Sequence, residues 1–215
     1  MLEEGETVDT ESGKDRNEIG YTYSTEKYKY TVTVTNSGDT GVLTTDVSFE
    51  KVNGDGEVAS IPTFTNTYGA TGSVTISGTK ELTGKELTDE KFTFVLTENS
   101  VGGQGYETTT TNNTDGSFSF TLNYAQDDVG RTIGYTIREE NPELPGYSYD
   151  PDTVTFYVYV GADADQDGKL DITVTKESGN ADPDGDGNPD ITVTKNEDGS
   201  YSATASFINF VNHYV

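Results

Sequence analysis

Through most of the chain, Val, Ile, Tyr and Phe return at every second position. That is the period of a β-strand with one face on a core. The stretch GYTYSTEKYKYTVTV, Gly20–Val34, sets Tyr28, Tyr30, Val32 and Val34 on one face and Lys29, Thr31 and Thr33 on the other. Asn36–Asp39 and Asn53–Gly56 read as turns, with a strand over Val42–Lys51 between them and FTNTY (Phe64–Tyr68) after them. Residues 1–19 are acidic and aperiodic and read as loop. Gly69–Gly72 reads as a short linker. A second unit starts at Ser73, with Val74, Ile76, Gly78, Lys80 and Leu82 on one parity. Glu86–Glu90 is a candidate short helical turn. Phe92, Phe94 and Leu96 mark the next strand; Phe118, Phe120, Leu122 and Tyr124 follow the polar turn Asn112–Gly116. Ile133, Tyr135, Ile137 and Glu139 share another face, and the final strand spans Phe207–Tyr214.

The chain repeats itself. Gly146–Val160 (GYSYDPDTVTFYVYV) aligns without gaps to Gly20–Val34, and FVNHY around Asn212 matches FTNTY around Asn66. The second pair lies further apart than the first. The extra residues come from a tandem duplication: DADQDGKLDITVTK, Asp163–Lys176, returns as DPDGDGNPDITVTK, Asp182–Lys195. The expected organisation is therefore the C-terminal part of a truncated domain over 1–68, a linker over 69–72, and a complete copy over 73–215 with a duplicated acidic hairpin at 163–195. Many short strands separated by turn signals predict an all-β protein, a β-sandwich.

Composition narrows the function. At 215 residues the chain carries a formal charge of -25 and a pI near 4.1. Phosphates would be repelled by such a surface, so nucleic acid is excluded as a partner. Val, Ile, Leu and Phe make up only roughly a fifth of the residues, close to the border of disorder, yet they alternate as disordered chains do not. There is no cysteine, hence no disulfide, thiol catalysis or thiolate metal site. No apolar run is long enough to cross a bilayer, and no signal peptide follows Met1. The truncated first copy predicts open strand edges, an aggregation liability, and the chain is expected to be a fragment.

Three polar residues break the apolar faces. Lys80 falls between Ile76 and Leu82, Glu139 continues the face of Ile137, and Asn212 lies between Phe210 and Tyr214. An amide on a core face is costly unless it is satisfied. Burial drives a lysine towards the neutral amine and a glutamate towards the neutral acid. A neutral amine is a nucleophile, and a protonated carboxyl beside an amide polarises its carbonyl and passes protons. The expected product is an amide between the Lys80 and Asn212 side chains with release of ammonia. The plain alternative is three unrelated polar residues at strand edges.

These motifs resemble the pilin isopeptide-linkage domain of Gram-positive surface proteins, an immunoglobulin-like Cna B-type β-sandwich. The resemblance is carried by SGTKELTGKEL near the start of the unit, YTIREE in its middle and FVNHY at its end. It covers about Ser73–Tyr214, with Gly20–Tyr68 as a partial copy. It implies Lys80 as nucleophile, Glu139 as proton shuttle and Asn212 as acceptor. Glu140 has the opposite parity, and Lys85 lies past Gly84 in a loop. Asn66 is then an unpaired copy of the acceptor, with LEE at Glu3 and Glu4 as a weak echo of REE, and no bond is expected there within this chain. The resemblance further implies a structural stalk or pilus module, extracellular and attached to a cell wall or pilus. Its targeting signals lie outside this chain, and its partners are the neighbouring domains of the same surface protein. No cofactor is required, no membrane is engaged, and self-crosslinking happens once per molecule, so this is not an enzyme in the turnover sense.

Two acidic loops keep a second function open. Asp163, Asp165, Asp167 and Asp171, and their copies Asp182, Asp184, Asp186 and Asp190, include DxDxDG spacing, which suits Ca²⁺. The twelfth position of each loop holds Val174 or Val193 rather than the bidentate glutamate, and the flanks read as strands. The alternatives are a solvated hairpin tip or a calcium-dependent adhesin binding a host or matrix ligand.

Overall fold

A computed structural model describes residues 19–36, 38, 41–52, 57–58, 61–88, 90–99, 105–180, 182 and 184–215. They form strands β1 (Tyr21–Thr22), β2 (Tyr28–Asn36), β3 (Leu43–Lys51), β4 (Glu57–Val58) and β5 (Thr67–Tyr68). After these come β6 (Thr71–Thr83), β7 (Thr93–Glu98), β8 (Glu107–Thr111), β9 (Ser117–Ala125) and β10 (Thr132–Glu139). The chain ends with β11 (Tyr147–Ser148), β12 (Thr153–Val160), β13 (Ile172–Thr175), β14 (Thr192–Lys195) and β15 (Tyr201–Tyr214). The fold is all-β, an immunoglobulin-like sandwich. Among the described residues there is no α-helix; Gln126–Asp128 forms a 3-10 turn. The helical turn expected at Glu86–Glu90 is not formed by its described residues; Leu87 and Glu90 close a turn through Glu90 N–H to Leu87 O.

The chain divides into two units, Met1–Gly69 and Ala70–Val215. The expected linker is thus shortened. Thr71 and Gly72 already belong to β6. Ala70 is buried, and its N–H is held by Gln126 Oε1 at 3.0 Å. A Cβ on Gly72 would lie 3.0 Å from Leu170, so a glycine here lets the strand pack close against the β12–β13 connection.

In the first unit β1 pairs with β5, and β2, β3 and β4 form an antiparallel sheet. FTNTY contributes only Thr67 and Tyr68 to a strand. Tyr30, Val32 and Val34 on β2 are about half exposed. Their counterparts in the repeat, Phe156, Val158 and Val160 on β12, are fully buried.

The second unit explains that difference. Its two sheets run β13-β12-β10-β7-β8 and β11-β15-β6-β9, with β14 also on β15, and their inner faces enclose the core. Phe94 from one sheet stacks on Phe118 from the other at 3.9 Å between centroids, with Phe210 against both. The strict alternation of buried and exposed residues along β6, β9, β10 and β12 is the sequence period made visible. The first and last strands, β6 and β15, lie side by side and parallel, whereas every other pairing between strands is antiparallel among the described residues. In β15 the register slips between Thr204 and Asn209. Buried positions accordingly change parity, from Tyr201 and Ala203 to Ile208, Phe210 and Asn212. Tyr214, expected on the core face, is 39% exposed. Its ring covers Tyr147 and the α-carbon of Gly146 instead.

Candidate isopeptide site

Lys80, Glu139 and Asn212 meet inside the second unit. Lys80 comes from β6, and Asn212 from β15, two residues beyond Phe210, the register partner of Lys80. The parallel pairing makes these two strands neighbours, so residues far apart in sequence project from one sheet face. Glu139 ends β10, an inner strand of the facing sheet, and reaches across the sandwich. The side chains of Lys80 and Glu139 are fully excluded from solvent, and so is Asn212. Glu140 is exposed.

One carboxyl spans the two nitrogens. Lys80 Nζ donates to Glu139 Oε2 at 3.0 Å, and Asn212 Nδ2 donates to Glu139 Oε1 at 2.8 Å. Asn212 Oδ1 accepts from the main-chain N–H of Asp150 at 2.8 Å. The amide is therefore satisfied on both sides, as a buried polar group must be. Desolvation lowers the Lys80 pKa against the upward pull of Glu139, and desolvation raises that of Glu139 against Lys80. Both shifts favour the neutral amine and the neutral acid.

Aromatic residues pack around the three side chains. The Phe92 ring lies 4.8 Å from Lys80 Nζ. Tyr147 and Tyr149 meet its edge at 5.9 and 6.0 Å. Phe92 is itself placed by Asn112, a buried polar residue that the alternation alone did not single out. Its Oδ1 accepts from Phe92 N–H at 2.7 Å, while its Nδ2 donates to the carbonyls of Glu90 and Asn113. The rival lysine, Lys85, is exposed, bound to Glu90 and to the Tyr147 hydroxyl, and held protonated by those contacts. His213 is exposed.

In the first unit Asn66 is exposed, and its Oδ1 accepts from Ser24 N–H at 2.9 Å. Glu3 and Glu4 lie outside the described residues. The surroundings of the two asparagines otherwise match. Tyr21 pairs with Tyr68 as Tyr147 pairs with Tyr214, each with ring centroids 4.9 Å apart. Gly20 and Gly146 both take positive φ, 96° and 85°.

The acidic loops are built alike. Asp163 Oδ2 accepts from Gly168 N–H at 2.8 Å, and Asp182 Oδ2 from Gly187 N–H at 2.9 Å. Asp163, Asp165 and Asp167, and likewise Asp182, Asp184 and Asp186, bring carboxylate oxygens within 4.8 Å of one another. Asp171 and Asp190 stand apart from these triplets. Lys195 reaches Asp165 at 3.4 Å and Asp167 and Asp171 at 3.8 Å, and Lys176 reaches Asp190 at 3.3 Å. The first loop thus already has a cation of the protein's own.

The family described as FctA, a Spy0128-like isopeptide-containing domain, matches residues 5–69 and 76–215. The major pilin of Streptococcus pyogenes is 20% identical, with 91% of this chain and 65% of that chain covered and a TM-score of 0.25. The T-13 major pilin from S. pyogenes serotype GAS131465 is 16% identical, with 91% and 62% covered and a TM-score of 0.23. The chain thus spans less than two thirds of the pilin chains it matches, and no curated protein matches it. With nearly its whole length matched in two consecutive segments, this chain belongs to the Spy0128-like isopeptide-containing domain family.

Proposed function

We propose that the second unit closes an autocatalytic isopeptide bond between Lys80 and Asn212, with Glu139 as proton shuttle, and that the chain serves as a stalk or pilus module on a bacterial surface. The observation that carries this reading is the single buried carboxyl of Glu139, bonded to the amine on one side and to the amide nitrogen on the other. Neutral Lys80 Nζ adds to Asn212 Cγ, forming the new C–N bond and moving an electron pair onto Oδ1. Glu139 takes the surplus Nζ proton and delivers one to Nδ2. The electron pair returns, the Cγ–Nδ2 bond breaks, and ammonia leaves. One amine and one primary amide become one secondary amide, and Glu139 ends as it began. The site holds its substrate as part of its own chain and is spent after one event. The expected partners are neighbouring domains or subunits of the same surface assembly.

Intact-protein mass tests the reading. The chain is expected to weigh one ammonia less than its sequence, and Lys80→Ala and Glu139→Ala are each expected to restore the full mass. A deficit of two ammonias would point to a second bond at Asn66. A full-mass wild-type chain would remove the proposal. The second reading, a calcium-dependent adhesin, draws on the two gathered carboxylate triplets. It is favoured only if added Ca²⁺ raises the melting temperature or creates binding to a matrix ligand.

A further inference from the structure

The acceptor amide has a contact that the lysine, glutamate and asparagine do not account for. Asn212 Oδ1 faces the main-chain N–H of Asp150 at 2.8 Å. That oxygen is the atom on which negative charge gathers when an amine adds to Cγ. A preorganised N–H aimed there, in a site closed to water, is the arrangement that stabilises acyl-transfer transition states.

The N–H is held in place by its own residue. Asp150 Oδ1 accepts from Asp152 N–H at 3.0 Å, a turn that fixes the backbone locally. Asp150 Oδ2 accepts from Val211 N–H at 2.8 Å, tying the turn to the residue beside the acceptor. Pro151 follows and restricts Asp150 to extended backbone. One residue therefore grips the acceptor strand twice, through its N–H and through its carboxylate.

The first unit repeats the device with other side chains. Ser24 occupies the place of Asp150 in the aligned repeat, and its N–H meets Asn66 Oδ1 at 2.9 Å. Its hydroxyl accepts from Glu26 N–H at 3.3 Å, as Asp150 accepts from Asp152. The common element is a main-chain donor on the asparagine oxygen, braced by a short side chain that bonds two residues ahead.

We propose that Asp150 takes part in bond formation: its N–H stabilises the oxyanion on Asn212 Oδ1, and its carboxylate is a positioning group that keeps that N–H aligned. Electron and proton bookkeeping is unchanged. The pair displaced onto Oδ1 by Lys80 Nζ is held by the Asp150 N–H until it returns and expels Nδ2 as ammonia. This inference rests on the isopeptide reading.

The test follows maturation in time. The full chain is made by cell-free synthesis and sampled by intact mass. Asp150→Ala, Asp150→Asn, Asp150→Ser and a backbone ester at position 150, introduced as the α-hydroxy acid, are compared with wild type. The ester lacks only the N–H and is expected to lose ammonia on the order of 100-fold more slowly, the size of one oxyanion donor. Asp150→Asn and Asp150→Ser keep the forward turn and should stay within a few-fold of wild type, whereas Asp150→Ala should be slower than either. The rate against pH separates chemistry from damage. A lost oxyanion donor lowers the whole profile and leaves its two limbs in place, while a displaced Lys80–Glu139 pair moves them. Maturation of the ester and of Asp150→Ala at the wild-type rate overturns this inference alone. A wild-type chain that loses no ammonia removes the parent reading as well. Should the ester fail to fold, Asp150→Ala against Asp150→Ser decides the question, equal rates being the contrary result.

Discussion

At the scale of residues, the site is a proton-sharing pair rather than a lysine and a glutamate. Burial pushes Glu139 above its ordinary 4.5 and Lys80 below its ordinary 10.5, each opposed by the other's charge. The pair titrates as a unit. The reaction needs one proton between the two groups: one that Glu139 can deliver to Nδ2, with Lys80 free to attack. At low pH a second proton locks Lys80 as ammonium. At high pH the only proton is lost and the leaving group goes unassisted. The rate of ammonia loss should therefore be bell-shaped in pH, its acid limb above the ordinary carboxylate range and its alkaline limb below the ordinary lysine range. Stability of an unreacted Asn212→Ala chain should run the opposite way, lowest in the window where the rate is highest. The raised Glu139 contributes stability that is full below its ordinary 4.5 and is lost as pH rises through its folded pKa; the lowered Lys80 contributes stability that is full above its ordinary 10.5 and is lost as pH falls through its folded pKa. A time course of intact mass from pH 4 to 10 and urea melts across that range check both. A rate rising steadily with pH would mean that Glu139 is not the acid.

At the scale of elements, β6 shows how tightly the amine is placed. Gly78 sits on the same face, two residues before Lys80, and a Cβ there would lie 2.4 Å from the Phe118 ring and 2.6 Å from Ile208. Gly78→Ala is expected to cost roughly 1–3 kcal/mol through overpacking and to slow bond formation by pushing β6 away from β15. Urea unfolding in a Lys80→Ala background, where no cross-link masks the loss, measures the first effect; mass sampling of the single variant measures the second. Unchanged stability would mean that the Phe118 and Ile208 side chains give way at little cost. The same strand was legible in the sequence, because an alternating apolar face makes an intruding lysine conspicuous. So were the burial of Glu139 rather than Glu140, by parity, and the aligned repeats, which the twin Gly20 and Gly146 turns express in three dimensions. Other elements left no such trace. The strand β8 reads ETTTT, an edge strand with no apolar face to reveal it. The slip in β15 changes which parity is buried without any glycine or proline to announce it. Asp150 acts through its main chain, and a main-chain N–H leaves no residue type behind. Only the match between Ser24 and Asp150 in the repeat could have pointed to it.

At the scale of the second unit, what matters is where the bond would lie relative to a pulling force. β6 enters at Thr71 and β15 leaves at Tyr214, side by side and parallel, so tension on the two ends shears the pair along its length. Lys80 and Asn212 both stand near the C-terminal ends of their strands. A bond between them would carry load along β6 to Lys80, across to Asn212, and out through the last residues of β15. Everything between the two, including the acidic hairpins, would hang as an unloaded loop. Closing a loop of that length by a covalent link also contributes about 5 kcal/mol at equilibrium, by analogy with a disulfide. Removing Lys80 forfeits that and leaves the buried Glu139 carboxyl with Asn212 as its remaining partner, a further cost on the order of 1–3 kcal/mol. Pulling the full chain by its ends should separate the two effects. With the bond in place, the second unit should yield almost no length before the tether fails, because the loaded segments are already extended strands. In Lys80→Ala the same unit should unfold in one step and release on the order of 40 nm of chain. A wild-type trace with that step would show that the sandwich, rather than a covalent link, bears the load.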